Sequence, residues 1–254
     1  MTIDSFSDGG RFLNPLTALA HAKELHSDGA TTIDIGAVSS NPEGADVSIE
    51  EEIQRLEAIV PALLADNISV SIDSFRTEVQ RHFLNSGIEF LNDISGFKDS
   101  SFYTEIADSR VKLVIMHSIQ SGRAQVETIE PESILPRLIQ FFDDRITALE
   151  KAGIAKSRMI VDPGMGHFIG SNPNCSIEAI RAIPELKKRY QVGVLVGVSR
   201  KSFLGRITGR EVHQREAATL AAEIACIDRG ADYIRTHNPK GLIDMCRVRE
   251  AIDD

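Results

Sequence analysis

The chain has 254 residues, of which 42% are hydrophobic and 26% charged, a composition that is ordinary for one globular domain. Its net charge of −9 argues against a nucleic acid or an anionic membrane as partner, because either would favour a basic surface. Three cysteines, widely spaced and odd in number, argue against a disulfide framework or a cysteine zinc site. With no membrane-length apolar run and no signal peptide, the sequence predicts a cytoplasmic protein.

Short apolar runs rich in β-branched residues alternate with longer amphipathic segments along the chain. After an N-terminal loop, the first helix is predicted over Pro15–Ser27. Amphipathic spacing predicts further helices, among them Ile49–Leu64, Pro131–Ala152 and Glu216–Arg229. Seven nearly continuous apolar runs are typical of parallel strands buried on both faces, namely Thr31–Gly36, Ser69–Ser74, Glu89–Asp93, Val111–His117, Met159–Asp162, Val192–Val198 and Tyr233–His237.

This alternation of strands and helices predicts an α/β fold, either a closed barrel or a doubly wound sheet. A length near 250 residues is typical of the barrel. The sequence contains eight helical patterns but seven strands, because it opens on a loop that leads into the first helix. We therefore expect a (β/α)8 TIM barrel forming one domain over residues 1–254, with its first strand missing or truncated at the N-terminus. A barrel that closes in another way is the alternative.

Polar residues follow nearly every predicted strand. In a barrel the carboxyl ends of all strands converge on one face, and catalytic residues come from several of them. A single such residue is explained equally well as a helix cap or a turn residue, but seven occurrences in register indicate an active site. The polar strand ends are Asp34 with Ser39–Asn41, Asp73, Asn92–Asp93, Met116–His117, Asp162–Gly164, Ser199–Lys201 and Arg235–His237.

Three of these positions are rich in hydrogen-bond acceptors: Asp73, Asn92 and Asp162. Carboxylates buried at the mouth of a narrow barrel are costly unless a partner binds them. A flat heterocycle with ring N–H and amino donors would satisfy them, and the amide can both donate and accept. These residues therefore predict a polar heterocycle as ligand.

The ends of the last two strands carry the cationic residues Lys201, Arg235 and His237. Barrels commonly bind phosphate at the loops that follow strands seven and eight. Arginine contacts phosphate oxygens in a bidentate manner, and lysine acts as a point charge. The heterocycle is therefore expected to carry a phosphate group. The alternative for Lys201 and Arg200 is a pair of surface charges at a helix start, which the helix dipole disfavours.

In this order, these segments resemble dihydropteroate synthases over essentially the whole chain. One short match would be weak evidence, whereas eight in order are specific. The matching segments are Asp4–Gly10, Asp34–Gly36, Ser71–Asp73, Asn92–Asp93, Met116–His117, Asp162–Gly164, Ser199–Lys201 and Arg235–His237.

The resemblance implies a (β/α)8 barrel that condenses 6-hydroxymethyl-7,8-dihydropterin diphosphate with 4-aminobenzoate. Pyrophosphate leaves and 7,8-dihydropteroate forms, with Mg²⁺ assisting, as a step of folate synthesis. The family's mechanism is dissociative, so the bond to diphosphate breaks before the arylamine captures the pterin cation. The resemblance also implies a homodimer.

Carried over position by position, the resemblance assigns most of the polar strand ends to the pterin and diphosphate. Asp73, Asp162 and Lys201 would be the catalytic residues. The expected pterin contacts are Asp73, Asn92, Met116, Asp162 and Lys201. The expected diphosphate contacts are Ser39, Ser40, Arg235 and His237, with Asp34 near the metal.

The loops of the 4-aminobenzoate pocket depart from the family's usual pattern. Asn41 stands where arginine is usual, and His167 follows Gly166 where a Phe-Gly-Lys segment is usual. These loops resemble instead the sulfonamide-resistant Sul-type branch, although its usual residue in place of His167 is phenylalanine. We therefore expect a pocket that admits the carboxylate but rejects the bulkier sulfonamide. Its expected residues are Ser40, Asn41, Pro42, His167, Phe168 and Ser202, the last at a helix start suited to an anion.

Two rival functions remain open from the sequence. A methyltransferase that uses methyltetrahydrofolate would share the acceptors but would not need the cations of the last two strands. An inactive, pterin-binding truncated barrel is motivated by the missing first strand, since the family's asparagine ligand for metal and diphosphate would precede Met1. Turnover measurements separate both rivals from a synthase.

Overall fold

The fold is described from a computed structural model, which defines residues 14–38, 47–119 and 129–253. One curled sheet contains seven parallel strands in chain order. Every strand lies inside a segment that the sequence predicts as extended, so the seven predicted strands are confirmed. In the described part of the chain, the sheet is open between the first and last strand. The strands are β1 (Thr32–Ile35), β2 (Ser69–Asp73), β3 (Phe90–Asp93), β4 (Lys112–Met116), β5 (Met159–Asp162), β6 (Gly193–Val196) and β7 (Tyr233–Ile234).

Helices connect each strand to the next, which confirms the barrel type of α/β fold. The connections from β1 to β2 and from β6 to β7 each carry two helices, so residues 14–38, 47–119 and 129–253 hold ten α-helices rather than the eight patterns predicted. They are α1 (Pro15–Ser27), α2 (Ile49–Glu57), α3 (Val60–Ala65), α4 (Thr77–Phe83), α5 (Tyr103–Asp108), α6 (Ile134–Lys151), α7 (Pro173–Tyr190), α8 (Ser202–Thr208), α9 (Glu216–Ile227) and α10 (Pro239–Asp253).

The single helix predicted over Ile49–Leu64 is wrong, because the chain forms α2 and α3 with a break at Ala58 and Ile59. Pro61 explains the break: it has no backbone N–H, and inside one continuous helix its ring would clash with the carbonyl of Glu57. Proline is tolerated in the first turn of α3, where that N–H would have no helical partner.

The interior of the sheet is built in layers. Phe90, Val114 and Ile160, from β3, β4 and β5, form a small buried apolar cluster at one level. Side chains two residues further along a strand point to the same face. Asn92, Met116 and Asp162 therefore lie above this cluster, toward the carboxyl ends of the strands. The apolar layer therefore lies directly beneath the polar strand ends.

The main hydrophobic core lies between the sheet and the surrounding helices. Among the described helices, none is both long and apolar enough to cross a membrane.

Candidate active site

Arg235, directly after β7, is surrounded by carboxylates from three other strands. Its Nη1 lies 3.1 Å from Asp34 Oδ2 and 4.0 Å from Asp73 Oδ2. Its Nη2 lies 3.7 Å from Asp162 Oδ2. The structure thus brings together four predicted site residues from β1, β2, β5 and the end of β7, with one guanidinium among three carboxylates.

Two buried acceptors at this site have no hydrogen-bond partner among the described residues: Asn92 Oδ1 and Asp162 Oδ2. Both side chains are 1% exposed. Asn92 Nδ2 donates to Asp34 Oδ2 at 3.2 Å, which orients the amide, and the backbone N–H of Gly164 donates to Asp162 Oδ1 at 2.8 Å. Burying an acceptor without a partner costs about 1–3 kcal/mol, so two such atoms at one end of the sheet indicate a place for ligand donors.

The loop after β5 is held in place by Gly164. Its φ of +73° lies in the left-handed region, and a Cβ there would lie 2.4 Å from the backbone oxygen of His117. His117 itself is buried, with Nδ1 3.3 Å from the carbonyl oxygen of Pro163. Burial lowers the pKa of His117 to about 4, so this imidazole is neutral and braces the loop beside Asp162.

Lys201 lies in the loop between β6 and α8, half-buried against an aromatic ring. Its Nζ is 5.7 Å from the ring centroid of Phe168. Phe168 in turn packs with Met116 and Ile94, so the predicted pterin and benzoate residues share one apolar wall. Burial, followed by repulsion from Arg235, lowers the pKa of Lys201 to about 8.

The carboxylates around Arg235 do not ionise alike. Burial, followed by the charge of Asp34, raises the pKa of Asp73 to about 7. Burial also raises the pKa of Asp162, although Arg235 opposes this effect. Burial acts in the same direction on Asp34 and is the largest single effect, but the charge of Arg235 and the hydrogen bonds from Ser71 and Arg235 are among several effects that together lower the pKa of Asp34. Asp34 is therefore the carboxylate of this group that keeps its negative charge at the lowest pH.

His237 is tied to the neighbouring loop. Its Nδ1 lies 2.8 Å from Ser199 Oγ, and its backbone N–H donates to the same oxygen at 3.3 Å. Ser199 belongs to the matching segment Ser199–Lys201, but the sequence predicts no role for it. The structure identifies it as the link between the loops that carry Lys201 and His237.

A second group that sequence reasoning missed lies behind β2. Glu52 of α2 is 2% exposed and accepts from Ser74 Oγ at 2.7 Å and from Arg76 Nη1 at 3.0 Å. Gln80 Nε2 donates to the backbone oxygen of Ser74 at 2.6 Å. These bonds support the backbone that follows Asp73, and no sequence motif marks them.

The predicted benzoate pocket is described in part. Ser202 is the first residue of α8, and a Cβ on Gly166 would lie 3.9 Å from both Ser202 Oγ and Lys201 Cδ. His167 and Phe168 belong to the short 3₁₀ turn Gly166–Ile169 between Asp162 and α7. The other pocket and diphosphate residues predicted from sequence lie outside the described residues, so their roles stay predictions: Ser39, Ser40, Asn41 and Pro42.

A cavity of about 650 Å³ opens between β1 and β7, beside α10. Asp34, Asn92 and Arg235 line its upper end. In residues 14–38, 47–119 and 129–253, no group of three or more His, Cys, Asp or Glu side chains is arranged to hold a metal ion by itself.

Residues 1–237 match the family model described as pterin binding enzyme. Dihydropteroate synthase type-3 of Escherichia coli is 46% identical over 254 residues, covering 99% of this chain and 96% of the relative. The chain belongs to the dihydropteroate synthase family. Family membership makes it a transferase of folate biosynthesis, and it confirms the resemblance to the Sul-type branch.

Solved structures of the family have the same fold. The dihydropteroate synthase of Yersinia pestis, in complex with a sulfonamide drug, matches with a TM-score of 0.89 at 31% identity, covering 100% of this chain and 92% of that one. The Xanthomonas albilineans dihydropteroate synthase with 4-aminobenzoic acid matches with a TM-score of 0.87 at 32% identity, covering 99% and 90%. These relatives favour the synthase over the rival methyltransferase.

Proposed function

We propose that this chain joins dihydropterin diphosphate to 4-aminobenzoate at the strand ends that surround Arg235. The observation that carries the proposal is that two buried acceptors, Asn92 Oδ1 and Asp162 Oδ2, lack a hydrogen bond within the described part of the chain. A pterin edge offers ring N–H and amino donors, and these would satisfy both atoms. Arg235 lies beside Asp162 as a counter-charge for a phosphorylated ligand, and Lys201 would bond the pterin ring.

The reaction breaks the bond between the pterin methylene carbon and the diphosphate oxygen, and the oxygen keeps the electron pair. The arylamine nitrogen then forms the new bond to carbon and releases a proton. A neutral arylamine is already nucleophilic, so no strong base is needed. Asp73 and Asp162 would stabilise the developing pterin cation, and Arg235 and His237 the leaving diphosphate.

Asp34 fits a role beside Mg²⁺. Its pKa is lowered, its carboxylate lies at the site, and magnesium sites often combine one or two carboxylates with substrate phosphates. Bound there, the ion would neutralise part of the charge on the leaving diphosphate. We propose that Asp34 supplies an oxygen ligand, while Arg235 contributes its own positive charge.

We propose that 4-aminobenzoate, the second substrate, contacts Phe168, Ser202 and His167. The family resemblance adds Ser40, Asn41 and Pro42 to the proposed contacts. The apolar wall of Phe168 and Met116 suits an aromatic ring. Ser202 lies next to Lys201, where a carboxylate finds a hydroxyl donor and a cation.

The assay that tests this function is pyrophosphate release from 6-hydroxymethyl-7,8-dihydropterin diphosphate with 4-aminobenzoate and Mg²⁺. Release that requires both substrates and yields 7,8-dihydropteroate is the expected result. Thermal stabilisation by the pterin diphosphate without any turnover would instead identify an inactive pterin-binding barrel. Methyl transfer from methyltetrahydrofolate, without pyrophosphate release, would contradict the synthase assignment.

We expect turnover to persist when sulfamethoxazole is present in large excess over 4-aminobenzoate. The drug carries a sulfonyl group and a substituent that exceed the carboxylate in bulk, and a tight pocket rejects them by steric clash. The measurement is the initial rate of pyrophosphate release across a drug titration at fixed 4-aminobenzoate. The control is a sulfonamide-binding family member such as the Yersinia pestis enzyme, which we expect to lose activity under the same conditions. Equal inhibition of both enzymes would refute this expectation.

We expect kcat/KM for dihydropterin diphosphate to fall as the pH rises through about 8, the pKa to which burial lowers Lys201. Below that pH the ammonium is charged and can donate to the ligand. Above it the charge is lost. The measurement is the pH profile of pyrophosphate release for the native enzyme and Lys201→Arg. Because guanidinium stays charged, the residual activity of Lys201→Arg should lack this alkaline decline. An unchanged decline in that variant would assign it to another group.

We further propose a single barrel domain, assembled as a homodimer and placed in the cytoplasm. The three cysteines are free, two of them buried, which suits a reducing compartment.

A further inference from the structure

Arg215, which directly precedes α9, binds the backbone on both sides of Lys201. Its Nη1 donates to the carbonyl oxygens of Arg200 at 3.0 Å and Lys201 at 3.4 Å. Its Nε donates to the carbonyl oxygen of Arg210 at 3.0 Å. This half-buried guanidinium thus donates three hydrogen bonds to main-chain oxygens, two of which flank the α-carbon of Lys201.

The backbone held in this way is strained. Arg200 has a φ of +58°, in the left-handed region that residues with a side chain rarely adopt. Its backbone N–H donates to Thr219 Oγ1 of α9 at 3.1 Å. The loop before Lys201 is therefore held from two sides by groups at the start of α9, and such a conformation persists only when its surroundings over-determine it.

Helix α8 leaves room for the guanidinium at Gly205. A Cβ on this glycine would lie 2.2 Å from Arg215 Nη2 and 2.5 Å from its Cζ. Any larger residue at Gly205 must displace the guanidinium from the Lys201 loop. The three hydrogen bonds of Arg215 therefore require a residue without a side chain at position 205 of α8.

We propose that Arg215 is a positioning residue for the pterin site, acting through the backbone of Lys201. The inference rests on the proposed function, in which Lys201 bonds the pterin ring. The Lys201 ammonium lies at the end of a flexible four-carbon side chain, so the position of the Lys201 backbone determines where the ammonium can lie. A misplacement of about 1 Å can cost about 10²-fold in catalysis, which makes the backbone bonds of Arg215 functional as well as structural.

The first test compares two probes with the purified full-length protein. Calorimetry with 6-hydroxymethylpterin reports on the ring site, and inorganic pyrophosphate with Mg²⁺ reports on the diphosphate site. Arg215→Met should weaken pterin binding about 10- to 100-fold and leave pyrophosphate binding nearly unchanged. Arg215→Lys, with a single ammonium in place of the planar donor fork, should lie between native and Arg215→Met. Equal weakening of both probes would overturn the proposal.

The second test is a double-mutant cycle. If Arg215 acts through Lys201, Arg215→Met should add almost no further loss of pterin affinity in a Lys201→Met background. Gly205→Ala should reproduce the selective loss of pterin affinity, since its Cβ would push the guanidinium away. Losses that add in the cycle would show that Arg215 acts independently of Lys201, and the proposal would fail.

The matched control is Arg229→Met, just after α9, because the Arg229 guanidinium also donates to a backbone oxygen, that of Ala225, but lies at the opposite end of α9 from Arg215. It should leave both affinities unchanged. Thermal unfolding of each variant identifies any that fail to fold, and Gly205→Ala carries the test if Arg215→Met is one of them. Native protein that binds neither probe would refute the proposed function itself, which distinguishes that failure from a failure of the Arg215 proposal.

Discussion

Replacing Asp162 with asparagine should lower kcat/KM for dihydropterin diphosphate by about 10²- to 10³-fold, the size expected for removing one preorganised electrostatic contact. The carboxylate is 1% exposed, and its Oδ2 has no hydrogen-bond partner in the described part of the chain. An amide there would present N–H donors toward ring donors and toward Arg235, whose Nη2 is 3.7 Å away. The negative charge beside the developing pterin cation would also be lost.

Asparagine is chosen because it preserves the turn. Its carbonyl oxygen can still accept from the backbone N–H of Gly164, the bond that Asp162 Oδ1 makes at 2.8 Å. The loss should therefore appear in pyrophosphate release and in calorimetric pterin affinity, with only a small change in thermal unfolding. Asp143→Asn is the control, since that exposed carboxylate pairs with Arg189 and lies outside the site. Pterin affinity within about twofold of native in Asp162→Asn would remove Asp162 from the pterin site.

Replacing Arg235 with methionine should reduce kcat/KM by about 10³-fold, because the proposed diphosphate ligand loses a cation that acts in a sheltered site. The same change leaves three carboxylates without the guanidinium they share. Removing one partner of a buried ion pair typically costs about 3–5 kcal/mol, and the 30% exposure of the Arg235 side chain should reduce this to about 2 kcal/mol.

The stability loss in Arg235→Met should grow with pH. Arg235 lowers the pKa of Asp73 and of Asp162, so its removal raises both values further above those of an unfolded chain. Native Asp73 already keeps its proton up to about pH 7, so its share of the stability gap opens as the pH rises through about 7 toward the higher pKa of the variant. Below that window Asp73 is protonated in both folded proteins, so its share of the extra loss vanishes.

The measurement is thermal unfolding of Arg235→Met and native protein at acidic and alkaline pH, with a chelator present so that no divalent ion compensates. Arg235→Lys is the control: it keeps a positive charge and should recover most of the alkaline stability. It should recover only part of the activity, because a lysine cannot reproduce the bidentate fork. A stability gap that stays constant across pH would contradict the central role of Arg235 among the carboxylates.

Much of this fold can be predicted from the sequence because its main signals are local. Parallel strands buried on both faces require continuous apolar runs, and all seven runs are strands. The break between α2 and α3 also had a local signal in Pro61, which the amphipathic spacing of the segment obscured. Local patterns therefore determine which segments are strands and helices.

The residue types at the strand ends also indicate the chemistry, because barrel topology places every strand end on one face. Asp73, Asn92 and Asp162 were predicted as acceptors, and the structure places them around one opening with Arg235 and Lys201. Which ligand atom each side chain binds stays a prediction.

What the tertiary structure alone decided are the contacts between distant segments. Arg235 and Asp34 are 201 positions apart and bond through space, so no spacing rule links them. The same holds for the orientation of Asn92 by Asp34, for the link from Ser199 to His237, and for the hold of Arg215 on Lys201. The amino-acid sequence by itself determined the strands, the family and the set of reactive groups. The partner of each group depends on how the seven strands curl around the apolar layer inside the sheet. That curvature results from packing between distant segments, which local sequence patterns do not encode.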